Sequence, residues 1–250
     1  MSVPRLRQIA LAGLVLLVLV SMVIGWLVTP AHAHHRPMDA ASFAAPRTQP
    51  VSPHLVTTTA HPQVKTVALT FDDGPDAVYT PQVLALLGQY HLHATFCLIG
   101  TQARRYPDLV RAIATDGHRL CDHTMTHDER LPHRSPARIQ AEIGGARQAI
   151  ATAAPGAPIA YYRAPGGAWS PAVEQIAAGD GLQPLGWSVD PQDWRRPGTA
   201  AILATISRQL HPGGVILVHD GGGDRSQTLA ALRQLIPMLL AQGYHFDFPA

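Results

Sequence analysis

Charge is scarce in this chain. Asp, Glu, Lys and Arg together make up 14% of its 250 residues, and Lys65 is the single lysine. No basic run with interleaved aromatics occurs. The electrostatic footprint of a nucleic-acid binder is therefore missing, and no nucleic-acid partner is expected. The formal net charge of +2 comes from Arg5 and Arg7. No acid and no lysine precedes Ala33, so 2 − 2 leaves residues 34–250 neutral. Low charge beside a hydrophobic share of 46% also excludes a disordered chain and points to one globular domain with extensions. Cysteine is scarcer still, at Cys97 and Cys121 only.

Apolar residues are abundant at the start. Arg5 and Arg7 precede an unbroken apolar run from Ile9 to Val28. Twenty residues at about 1.5 Å each span roughly 30 Å, the thickness of a bilayer core. The basic flank favours a cytoplasmic N-terminus. "AHA" at 31–33 also has the small-x-small form of a cleavage site. Residues 1–33 are therefore read as a signal peptide or a membrane anchor, and the rest is expected to work outside the cytoplasm. Residues 34–62 are rich in Pro, Ala, Thr and Ser, show no sustained period, and are read as a linker. Residues 63–250 form the expected folded domain.

Within that domain, apolar strand-like runs alternate with helical patterns. Strands are expected at 66–71, 94–100, 118–123, 159–165, 183–190, 214–220 and 244–248. Helices are expected at 81–90, 106–117, 135–154, 170–181, 199–210 and 227–243. Ser135-Pro136 and Ser170-Pro171 each pair a capping side chain with a proline at the first turn. The alternation implies an α/β domain with a parallel sheet, either open and doubly wound or closed into a barrel. Polar residues collect at the strand ends: "DD" after the first strand, "DHTMTH" after the third, "RAP" after the fourth, "DPQDW" after the fifth and "HD" after the sixth. In a barrel those ends meet on one face.

The residue types on that rim suit hydrolysis. His123 and His127 stand four apart, which on one helical turn would aim both imidazoles at one ion. With an Asp they make an open donor set for a single divalent cation, Zn²⁺ foremost, with Co²⁺ or Ni²⁺ as substitutes. Adjacent Asp72 and Asp73 divide two tasks, one binding the ion and the other taking a proton from the attacking water. Arg163 is suited to pair with the second carboxylate and fix its orientation. His219 suits a general acid, with Asp193 holding its ring and favouring the protonated form.

The stretches "TFDDGPD", "HTMTH", "RAPGG", "DPQDW" and "ILVHD" resemble, in order and spacing, the five motifs of the polysaccharide deacetylases, the NodB-homology enzymes or carbohydrate esterase family four. The resemblance covers residues 63–250. It implies a distorted (β/α)₇ barrel with a metal site at the C-terminal ends of the strands, and metal-dependent removal of acetyl groups from N-acetylglucosamine units in chitin-like chains or peptidoglycan. Residue by residue, it implies Asp72 as general base and Asp73, His123 and His127 as metal ligands. Arg163 would position the base, and the Gly166 N–H would donate to the oxyanion, at a position where many members have Tyr. Asp193 would tune His219 as general acid, and Trp194 and Leu217 would wall the acetyl methyl.

Cys97 and Cys121 fall on neighbouring expected strands, and an even pair in an exported chain reads as a disulfide. Asp122 stands where many relatives have Asn, either orienting an imidazole or as a surface acid. The expected partner is an N-acetylated polysaccharide, with peptidoglycan favoured, acted on by a monomer. Two other readings stay open: an O-acetyl esterase of the xylan type, and a carbohydrate-binding or structural protein without catalysis.

Overall fold

The computed structural model of the protein describes residues 49–250. The apolar run at 9–28, the cleavage motif at 31–33 and the first part of the linker lie outside the described residues. No helix among the described residues is long and apolar enough to cross a membrane.

Among the described residues, seven strands are interleaved with seven α-helices, two of which follow β2 in succession. The strands are β1 (Thr66–Asp72), β2 (Thr95–Leu98), β3 (Arg119–Asp122), β4 (Ile159–Tyr162), β5 (Gln183–Pro184), β6 (Gly214–His219) and β7 (His245–Phe246). The helices are α1 (Tyr79–Gln89), α2 (Gly100–Arg105), α3 (Pro107–Thr115), α4 (Pro136–Ala153), α5 (Pro171–Gly179), α6 (Thr199–Gln209) and α7 (Ser226–Ala241). Six strands run β5-β4-β3-β2-β1-β6, every pair parallel, and β7 joins β1. The curled sheet closes through a single parallel bridge, Val189 to Ile216, supported by Leu217 N–H to Val189 O at 2.9 Å. This is a distorted (β/α)₇ barrel.

All seven residues of β1 are buried, as expected for a parallel strand covered on both faces. Side chains sort by parity. Val67, Leu69 and Phe71 pack outward into the main core with the helices, whereas Ala68 joins Cys97, Cys121, Tyr161, Leu185 and Val215 in a small separate interior cluster. The two Ser-Pro helix starts form as expected: Ser135 accepts from Arg138 N–H and Ser170 from Val173 N–H, each at 3.3 Å. The expected strand at 183–190 shrinks to two residues. Pro184 has no N–H to give a ladder, and Gly186 N–H goes instead to Val56 O at 2.7 Å.

That last bond belongs to the end of the expected linker, which lies along the barrel from Val51 onward. Val51 N–H reaches Ala178 O, Val56 N–H reaches Pro184 O, Thr59 N–H reaches Gly213 O, and Ala250 N–H reaches Thr58 O. Thr59 is buried, with its hydroxyl 2.6 Å from that of Thr66. The boundary at 62/63 drawn from composition thus falls inside a hydrogen-bonded segment.

Candidate active site

The site begins where β1 stops. Asp220 and Gly221 donate backbone N–H bonds to Asp72 O at 3.2 and 3.3 Å, and Ile99 N–H donates to Gly74 O at 3.0 Å, turning the chain sharply. Gly74 is needed there, because a Cβ would stand 2.6 Å from the Asp220 carboxylate oxygens. Asp73 occupies left-handed backbone at φ 73°, a region that costs a non-glycine residue about 1–3 kcal/mol. The turn separates the adjacent carboxylates: Asp72 is buried against the barrel interior and Asp73 faces the rim.

Asp72 Oδ1 accepts from Arg163 Nη1 at 2.7 Å. Arg163 is wholly buried, and its guanidinium also reaches Thr70 Oγ1 (2.9 Å), Leu185 O (3.2 Å) and Gly186 O (2.9 Å). A buried cation is tolerated only when paired and hydrogen-bonded in this way.

His123 and His127 lie in a loop, not on the helical turn expected from their spacing. Thr124 and His127 take φ of 64° and 59°, which brings the two rings to a centroid separation of 5.0 Å without a helix. Side-chain bonds hold this backbone: Thr124 N–H to Asp122 Oδ1 at 2.8 Å, and His127 N–H to Thr124 Oγ1 at 3.0 Å. Asp122 is therefore neither of the two things expected. It is fully buried and shapes the loop backbone. The imidazole of His123 is oriented instead by Arg163 O, 2.8 Å from Nδ1. A carbonyl only accepts, so Nδ1 carries a proton, and the other ring nitrogen, Nε2, is turned to the site.

Asp73 Oδ1 lies 3.2 Å from His127 Nε2 and 3.5 Å from His123 Nε2, and it is buried without a hydrogen bond. The three ligand atoms sit within 4.8 Å of one another. Burial works to raise the Asp73 carboxyl, but the imidazoles of His123 and His127 outweigh it and hold it well below the usual range. Burial works to lower His127, and Asp73 beside it pushes it up.

On the other side, His219 Nδ1–H donates to Asp193 Oδ1 at 2.7 Å, and Asp193 Oδ2 accepts from His219 N–H (3.0 Å) and Thr228 Oγ1 (2.7 Å). Burial pulls the imidazole down, but the bond to Asp193 and the Asp193, Asp72 and Asp73 charges push it up to about 9. Leu217 is buried two residues before His219 on the same face of β6. Trp194 follows Asp193 and stays 46% exposed, with the Arg195 guanidinium 4.7 Å from its ring centre. Gly166 turns at φ 59° in a short 3₁₀ turn, Pro165–Gly167, where a Cβ would come within 3.2 Å of Glu129. Cys97 and Cys121 form a β2–β3 register pair with their Sγ atoms in contact.

Two further carboxylates belong to this neighbourhood. Asp220 is fully buried under the Asp72–Gly74 turn and accepts from Thr80 Oγ1 at 2.5 Å. Burial pushes it up to about 7, ahead of the opposing Thr80 bond and the Asp73 and Asp72 charges. Glu142, on α4, is 1% exposed and bonds to Thr126 in the histidine loop. Asp220 sits in the "ILVHD" stretch, where its place beside His219 was a signal without a role. Glu142 looks like any helix acid, and its contact spans 16 residues.

The chain matches the family described as Polysaccharide deacetylase over residues 59–185. A chitooligosaccharide deacetylase of Sinorhizobium fredii (strain NBRC 101917 / NGR234) is 41% identical over 188 residues, covering 71% of this chain and 87% of that one. A peptidoglycan-N-acetylglucosamine deacetylase of Bacillus cereus is 41% identical over 184 residues, covering 73% and 85%. A CE4 family pseudoenzyme from Bacillus anthracis is similar in structure with a TM-score of 0.72 at 27% identity, covering 79% of this chain and 68% of that one. Sequence identity over most of the domain, on top of the shared fold, means that the chain belongs to the polysaccharide deacetylase family.

Proposed function

We propose that this protein is an exported, metal-dependent deacetylase that hydrolyses the acetamide of N-acetylglucosamine-type units in a cell-wall or chitin-like glycan, with peptidoglycan favoured. One observation carries the reading: the paired base Asp72–Arg163 and the paired acid His219–Asp193 both border the Asp73, His123 and His127 donor set.

The donor set fits a divalent cation. Asp73 Oδ1 is buried with no hydrogen bond, and the bond from His123 Nδ1 to Arg163 O leaves Nε2 turned towards it. Two imidazoles and a carboxylate suit Zn²⁺, with Co²⁺ or Ni²⁺ able to substitute. When bound, the cation supplies Lewis acidity, polarising the acetyl carbonyl and making water acidic. Asp72, aimed by Arg163, takes the proton from the attacking water. The Gly166 N–H donates to the carbonyl oxygen as it gains negative charge. Leu217 and Trp194 flank the methyl. His219, held as a cation by Asp193, delivers its proton to the departing nitrogen, and acetate and a free amine result.

The acid also supports amide over ester. An amide nitrogen leaves only after protonation, whereas an ester oxygen can leave with less help. Export rests on residues 1–33 and on reading the Cys97–Cys121 pair as a disulfide, which counting free thiols in the secreted protein would check.

The test is acetate release from N-acetylchitooligosaccharides and from peptidoglycan, with and without chelator, beside Asp73→Ala. Chelator-sensitive release absent from the variant is expected. Release only from an acetyl ester would move the reading to an O-acetyl esterase. Binding of glycan with no release would move it to a non-catalytic protein.

A further inference from the structure

The histidine loop is held from inside by Asp122 and Thr124, but its last turn is held from outside. Glu142 lies on α4, the helix that follows this loop in the chain, and is 1% exposed. A buried carboxylate is costly unless its oxygens are filled, and here three donors fill them. Thr126 N–H reaches Oε2 at 2.9 Å, Thr126 Oγ1 reaches Oε1 at 2.9 Å, and Arg138 Nη2 reaches Oε1 at 2.5 Å. Thr126 thus has its backbone and its side-chain donor on one carboxylate, so neither its peptide plane nor its χ1 is free to turn.

The next residue is His127. Its backbone is in the left-handed region at φ 59°, which the chain keeps only where the surroundings impose it. That conformation brings Nε2 to 3.2 Å from Asp73 Oδ1. The same loop is wedged against α2 and α4 through Met125: a Cβ on Gly100 would meet Met125 Sδ at 2.5 Å, and one on Gly145 would meet it at 3.7 Å. The loop is seated on α4 at two successive residues, just before the third member of the donor set.

We infer that Glu142 is a positioning residue for the metal centre: through Thr126 it sets the His127 imidazole, so that α4 is part of the site although it contributes no donor. The inference rests on the metal reading given above. It distinguishes Glu142 from an acid that merely ties a helix to a loop. Glu142→Gln tests this sharply, because an amide offers one oxygen and one NH₂ to three donors, leaving a donor facing a donor. Thr126→Val removes only the hydroxyl bond, and Thr126→Ser restores it.

The measurement is Zn²⁺ affinity of the full chain by chelator competition, with the visible absorption of the Co²⁺-loaded protein as a second readout. Glu142→Gln should bind Zn²⁺ about tenfold more weakly, the lower end of what residues supporting a ligand contribute, and should shift the Co²⁺ bands. Thr126→Val should move both in the same direction, and Thr126→Ser should match the wild type. Folded Glu142→Gln and Thr126→Val with wild-type affinity and an unchanged Co²⁺ spectrum would overturn the inference. If Glu142→Gln does not fold, Thr126→Val against Thr126→Ser decides. A wild-type chain that binds neither ion overturns the metal reading, and the inference with it.

Discussion

Arg163 is among the largest fully buried side chains and carries a charge. It is bonded to Asp72, Thr70 and two carbonyls, while its own carbonyl orients His123. Base and donor set therefore share one residue. Arg163→Met should destabilise the fold by about 3–5 kcal/mol, the usual result of leaving one member of a buried ion pair alone, and should abolish turnover. Arg163→Lys should recover little, since an ammonium lacks the planar fork that reaches all four acceptors. Urea unfolding and kcat would measure both. The acid obeys a different rule. The folded pKa of His219 is raised from 6.5 to about 9. Its pair with Asp193 therefore stabilises fully below pH 6.5 and ceases to do so as pH rises through about 9. With His219 as the proposed general acid, activity should follow the same limb, because only the protonated ring can donate. A cation beside Asp73 opposes the proton, so the alkaline limb should fall at or below pH 9. Asp193→Asn should move it to lower pH and reduce kcat, which a pH–rate profile would show.

Between elements, the segment from Val51 to Thr59 carries more than its composition suggests. It bonds to the end of α5, to β5, to the start of β6 and to the C-terminal residue. A chain beginning at Gln63 should melt several degrees below one beginning at Gln49, because Thr66, Gly213 and Gly186 lose partners and β5 loses its outer neighbour. Thermal denaturation of the two would check this. The segment was read as a spacer because backbone bonds hold it, and those leave no periodic trace. The same limit explains the other misses. The Ser-Pro helix starts and the long apolar strands were legible since caps and burial are written in residue type. The short helix α2 (Gly100–Arg105) has no amphipathic repeat to announce it. The His123–His127 spacing fits a helical turn, and only the left-handed φ at Thr124 and His127 reveals another route to the same convergence. The residues that the fold gathers at the rim were visible because five short motifs keep their order. Glu142 was not, because its partner sits in another element.

Across the whole molecule, the donor set ties β1 to β3 through Asp73, His123 and His127, with β4 and β6 supplying Arg163 and His219 behind them. A cation that binds this arrangement and not the unfolded chain adds stability, about 2.7 kcal/mol at a hundredfold excess over Kd. For a domain of this size that is roughly 5–10 °C in Tm. The ligands must be unprotonated to bind. His127 is pushed up by Asp73 beside it, so protons compete for the site more strongly than at an isolated imidazole. The stabilisation by Zn²⁺ should therefore be strongest above the His127 titration and disappear as pH falls through it. Melting curves with Zn²⁺ and with chelator would read this directly. A gap that is wide above that titration should close in acid for the wild type, and Asp73→Ala should show no gap at any pH. A gap that persisted unchanged in Asp73→Ala would place the stabilising ion elsewhere on the chain and remove the link between this rim and the fold.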